Sequence, residues 1–101
     1  MARPVSLNEK RRLLAEFKRS RGNKKIRDLE DISGAFGCGW KITEKSENQI
    51  FVPPYRHINV VNVAIPHSDQ DVLKKYISRF VHMLEDILDY EASKEGGGLY
   101  D

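Results

Sequence analysis

Three histidines, one cysteine and a basic N-terminal quarter are the parts of this chain whose residue types can do chemistry. His57 lies between two β-like runs, beside Tyr55 and Arg56. His67 lies where a strand-like run gives way to a helical one. Loops and junctions of that kind often carry sites, and an imidazole that titrates near neutrality can act as general acid or base. RNA cleavage is one reaction that needs such a group, because a 2′-hydroxyl must lose its proton. His57 and His67 are therefore the candidate catalytic residues. His82 sits mid-helix and reads as a surface or core-edge side chain. Cys38 stands alone, so it can form no internal disulfide and no paired-thiolate zinc site. With no His-x-x-x-His helix either, neither metal nor cofactor is expected, and no spacing suggests a base beside a nucleophile. The glycines at 34, 37 and 39 follow a helix and precede a strand, the reverse of a dinucleotide loop.

The charge is strongly divided. Residues 1–27 hold ten Lys and Arg against Glu9 and Glu16, a local charge of +8, while residues 28–101 carry −6. Such a division suits a basic arm for RNA or another polyanion. It equally suits a solvated helix face that balances the acidic end of the same molecule. The candidate phosphate contacts are Lys10, Arg11, Arg12, Lys18, Arg19, Lys24, Lys25 and Arg27, joined by Lys41, Lys45 and Arg56. Trp40 and Tyr55 can stack on bases if exposed.

The elements that must position these residues follow from periodicity. Ser6 to Glu9 fits a capping box opening a helix to about Ser20. Its apolar stripe of Leu7, Leu13, Leu14 and Phe17 is narrow, so this helix is expected to be mobile or to pack on a partner. Ser20 to Asn23 reads as a linker. Ile26, Leu29, Ile32 and Phe36 mark a second helix, and Gly37 and Gly39 suit its C-terminal cap. Alternation then predicts strands near 39–45, 49–52 and 58–65, the last with two apolar faces and so central or partly covered. Trp40 is expected in the core. From Val72 to Leu88 the period becomes helical, with Ser68 as N-cap and Leu73, Ile77, Phe80, Leu84 and Leu88 as the core stripe. The acidic end of that helix is expected to fray.

The expected fold class is α+β: a three-stranded antiparallel sheet with helices on one face, in the order α-β-β-β-α, preceded by a basic helix. The expected organisation is a basic arm over 1–22, one domain over 23–93 and a disordered tail over 94–101. No apolar run approaches the ~20 residues of a bilayer span, and no secretory signal is evident. No membrane association is expected, and the cytoplasm is the default compartment.

Between Asn23 and Leu88 the chain resembles the HicA toxins, small ribonucleases of toxin–antitoxin pairs. Asn23-Lys24-Lys25-Ile26-Arg27-Asp28-Leu29 resembles a HicA helix entry, and Phe36-Gly37 its Leu-Gly-Phe turn. Gln49-Ile50-Phe51 matches the residues beside the family's catalytic histidine, and Val63-Ala64-Ile65-Pro66-His67 its Val-Pro-Val-His run. The resemblance implies a fold like double-stranded RNA-binding domains, RNA as ligand and an antitoxin-like protein partner. The family's Gly-Ser-His-His is here Ser46-Glu47-Asn48-Gln49, so the catalytic histidine is replaced by Asn48 or Gln49. An amide cannot cycle a proton at neutral pH. The resulting expectation is a HicA-like RNA-binding protein without efficient ribonuclease activity. Two alternatives stand beside it. One is a protein-interaction or homo-oligomerisation module without nucleic-acid binding, in which the basic helix docks on the acidic helix of another copy. The other is an active mRNA interferase using His57 or His67.

Overall fold

A computed structural model describes residues 5–20, 23–67 and 70–100, with the side chains of 95–100 excepted. The elements are α1 (Leu7–Arg19), α2 (Ile26–Ala35), β1 (Gly39–Ile42), β2 (Asn48–Val52), β3 (Val61–Ala64) and α3 (Lys74–Tyr100). The strands form an antiparallel sheet in the order β1-β2-β3, with Trp40 opposite Phe51 and Gln49 opposite Val63. This is the expected α+β class and element order. Helices α2 and α3 both lie on the face of β2 that carries Gln49 and Phe51. Glu30 of α2 reaches Gln49, and Phe80 of α3 meets the Phe51 ring edge-on at 5.1 Å.

Local chemistry explains the element ends. Ser6 caps α1 by accepting from the Glu9 N–H at 3.3 Å. The reciprocal Glu9 contact of a capping box is replaced by an ion pair with Arg12. At α2, the Asp28 carboxylate accepts from the Lys25 N–H at 2.8 Å. Its far end closes in a Schellman motif, Cys38 N–H to Ser33 O and Gly37 N–H to Gly34 O. Gly37 has φ 80°, a conformation that glycine adopts without strain.

Phe36, Phe51, Phe80, Leu29, Leu84, Ile87 and Val63 are fully buried. Helix α1 joins this core rather than standing apart. Leu14 is buried, Leu13 and Phe17 pack beside it, and the Phe17 and Phe80 rings lie 6.0 Å apart. The stripe is narrow, but α3 supplies opposite charge along it, which compensates for modest apolar burial.

Several expectations need correction. Trp40 and Ile42 do face the helix side of the sheet, but they stay 45% and 49% exposed, because β1 is an edge strand over which the helices do not close. Strand β3 is the other edge, covered on one face by α3, and β2 is central. Leu73 is 59% exposed while Val72 is buried. Val72 donates its N–H to Lys24 O at 2.8 Å, which holds the chain extended and delays α3 to Lys74. The expected cap at Ser68 lies outside the described residues, and Asp71 pairs with Lys25 at 2.8 Å instead of opening the helix. Helix α3 continues through Tyr100, past residue 94 where the sequence suggests a tail; Asp101 lies outside the described residues. Among the described residues, no helix is long and apolar enough to cross a membrane.

Candidate nucleic-acid interface

The cationic side chains divide into those the fold neutralises and those it leaves to solvent. Lys10 is 5% exposed and its Nζ lies 2.8 Å from Glu91 of α3. It therefore cannot reach a phosphate, and it leaves the set of candidate contacts. Arg12 pairs with Glu9 and Glu16 on its own helix, Lys18 with Glu85 at 3.0 Å, and Lys25 with Asp71. The basic helix thus docks on the acidic helix of its own chain, and three charges of the +8, at Lys10, Lys18 and Lys25, meet carboxylates from beyond residue 27. Arg11 contacts Asn8. Arg19, Arg27, Lys41, Lys45 and Arg56 are exposed and make no ion pair among the described residues. Tyr55, a candidate stacking residue, is half-buried with its hydroxyl engaged.

One cationic concavity emerges. A groove of about 490 Å³ runs between the end of α1 and the first turns of α3. Lys18, Lys24 and Lys74 line it, with Ser20, Asn23 and Ser78 as neutral donors and Glu85 as the one carboxylate among the described residues. Lys24 is held there with its Nζ 4.4 Å from the centre of the Phe17 ring. Lys41, Lys45 and Arg56 do not line this groove. Lys74 is absent from the candidate contacts drawn from the sequence; its membership depends on where α1 docks.

The histidines separate. His57 and His82 line a second cleft of about 590 Å³ between the β2–β3 connection and α3. His67 is exposed and lines neither concavity. The His57 ring packs on Tyr90 at 4.5 Å, and Tyr90 packs on Tyr55 at 4.5 Å. The facing wall is polar: Arg79, His82, Asp86, Asp89 and Ser93. Those residues recur at steps of three and four, so a polar helical stripe was present in the sequence as a signal.

Behind the cleft lies a buried polar knot. Glu91 accepts from Lys10 and from the Tyr55 hydroxyl. Cys38 is buried near this pair, and loss of water pushes its thiol up from 9.0 to about 12, with Lys10 acting in the opposite sense. Tyr55 is pushed up from 10.0 to about 12, first by desolvation and then by its bond to Glu91. Because the thiolate is the reactive form, Cys38 is expected to resist iodoacetamide in the native protein and to react once urea unfolds it. Rapid native labelling would overturn this placement. Both groups are neutral when protonated and folding raises both values. The stability they contribute is present below the ordinary thiol value of 9.0 and is lost as pH climbs toward about 12. Urea midpoints should accordingly fall on the alkaline side, and Cys38→Ala should lessen the fall.

The positions that resemble the HicA catalytic segment are split by the strand pleat. Gln49 is 1% exposed, with its Nε2 donating to Glu30 Oε2 at 2.8 Å, whereas Asn48 faces away from the helices. Among the described residues no cluster of His, Cys, Asp and Glu could hold a metal ion. Comparison with family models, curated proteins and solved structures finds no match.

Proposed function

We propose that this chain binds RNA through the groove between α1 and α3, as a HicA-like protein without efficient ribonuclease activity. The observation that carries the proposal is the groove itself: three amines and the neutral donors Ser20, Asn23 and Ser78 converge on one concavity whose one carboxylate among the described residues, Glu85, is taken up by Lys18. Lysine amines in a groove track a phosphate backbone with little dependence on sequence. The absence of a histidine at 48 and 49 supports binding over cleavage. The proposed setting is the cytoplasm.

Internal pairing makes the expected salt dependence shallower than the formal charge suggests. Each phosphate contact to a single strand contributes about −0.7 to the slope of log affinity against log salt. Lys18 is already paired with Glu85, so Lys24 and Lys74 give a slope of about −1.4. Fluorescence anisotropy with a short single-stranded RNA should show this slope, and Lys24→Gln with Lys74→Gln should flatten it to near zero. No binding at ~50 mM salt, where such contacts are strong, would sink the proposal. Deleting residues 1–22 is the wrong test, because it also removes buried Leu14 and Lys10.

A second reading rests on a different surface. Trp40 and Ile42 leave an apolar edge on β1, which suits a protein partner, whether an antitoxin-like protein or a second copy. A sedimentation measurement showing self-association that Trp40→Lys abolishes would favour it.

A further inference from the structure

The carboxylates of the second cleft are the wrong charge for a phosphate backbone, yet the cleft adjoins the cationic groove. His82 lines both, and Ser78 and Arg79 stand side by side on α3, one in each. A strand of RNA lying in the groove would therefore present its next nucleotide at the cleft. We propose that the cleft between the β2–β3 connection and α3 holds one unstacked RNA base, with guanine preferred.

The aromatic wall is built for stacking. His57 is exposed, and its ring is fixed from behind by Tyr90. Tyr90 is fixed in turn by Tyr55, whose hydroxyl is tied to Glu91. A platform held in this way loses little freedom when a base covers it. Stacking on such a ring tolerates any base, because every base has a π-face.

Selection comes from the polar wall. Ionised Asp86 and Asp89 only accept hydrogen bonds, so they reject phosphate and suit base amino and imino groups. Guanine offers two adjacent donors, N1–H and the 2-amino group, to one carboxylate. Its O6 and N7 acceptors match Arg79, the side chain that most often reads them. Cytosine and adenine each offer one amino group, and uracil offers one imino donor flanked by two acceptors. The expected order is guanine first and uracil last.

The inference rests on RNA binding at the adjoining groove, and the test separates the two. Anisotropy titrations compare an all-uridine oligonucleotide with one carrying a single central guanosine, at equal length and salt. The guanosine is expected to tighten binding about tenfold, the scale of one good base contact. Asp86→Asn with Asp89→Asn should bring the two affinities together, and Lys24→Gln with Lys74→Gln should weaken both by the same factor. His57→Ala should weaken the guanosine oligonucleotide the more. Thermal melts of each variant check that it is folded. Equal affinities for the two RNAs, with binding intact, overturn the base cleft and leave the groove standing. A guanosine preference that survives the double Asp→Asn change also overturns it. Failure of both RNAs to bind overturns the cleft and the groove together.

Discussion

Lys10→Ala is expected to destabilise the protein by about 3 kcal/mol, the low end for orphaning one partner of a buried ion pair. The amine and the Glu91 carboxylate meet at 2.8 Å with side-chain exposures of 6% and 16%, so little water is at hand to replace the lost partner. Among the described residues, Glu91 would keep the Tyr55 hydroxyl as its one side-chain donor. The contact also joins residues 81 apart in sequence and pins α1 to α3 beside buried Leu14. By contrast, Arg12→Ala removes solvent-exposed pairs with Glu9 and Glu16, and its cost should be much smaller. Lys10→Met combined with Glu91→Gln leaves no buried charge and preserves an acceptor for Tyr55. That double variant should recover most of the loss, as replaced buried pairs often do. Urea unfolding with unchanged m-value is the measurement. A loss for Lys10→Ala no larger than that for Arg12→Ala would show that the docking is not held by this pair.

This pair also marks where sequence reading stops. The elements were legible because they are local: alternation over 39–52, the change of period before α3, and Gly37 after α2. The docking was not, because Glu91 belongs to an acidic run that reads equally well as a fraying helix end. Only the return of α1 across α3 makes that run the partner of the basic helix. Trp40 shows a related limit. Alternation assigns its face correctly, but whether a helix reaches an edge strand depends on the whole layer. Val72 shows a third. A single backbone bond to Lys24 holds Val72 outside the helix, which starts at Lys74. Of the proposed site, the 79, 82, 86, 89, 93 stripe was readable in advance, but His57, opposite it across the cleft, was not.

Placing histidines at 48 and 49, the positions that resemble the HicA catalytic segment, is expected to fail in two different ways. Gln49→His strikes the core. Gln49 faces the helices between Ile42 and Val63, and its amide is the donor to Glu30. Breaking a buried bond to a charged group costs about 1–3 kcal/mol, so this variant and any combination containing it should melt earlier. Asn48→His should stay folded, since Asn48 faces outward and pairs across the sheet with small Ala64. It is nonetheless expected to confer no cleavage. The lysine groove lies on the helix side, beyond Phe17 and Phe80, whereas position 48 opens on the opposite face of the sheet. An imidazole there would not be held against a strand bound as proposed, and acid–base catalysis requires hydrogen-bond reach. The unmodified chain and Asn48→His should both lack the factor of about 10² to 10⁴ that a positioned acid or base supplies. Cleavage of labelled RNA, followed on gels, is the assay. A gain of about 10² in Asn48→His would place the RNA on the open sheet face beside Lys41 and displace the groove as its site. Strong cleavage by the unmodified chain, abolished by His57→Ala or His67→Ala, would instead show that the catalytic group has moved.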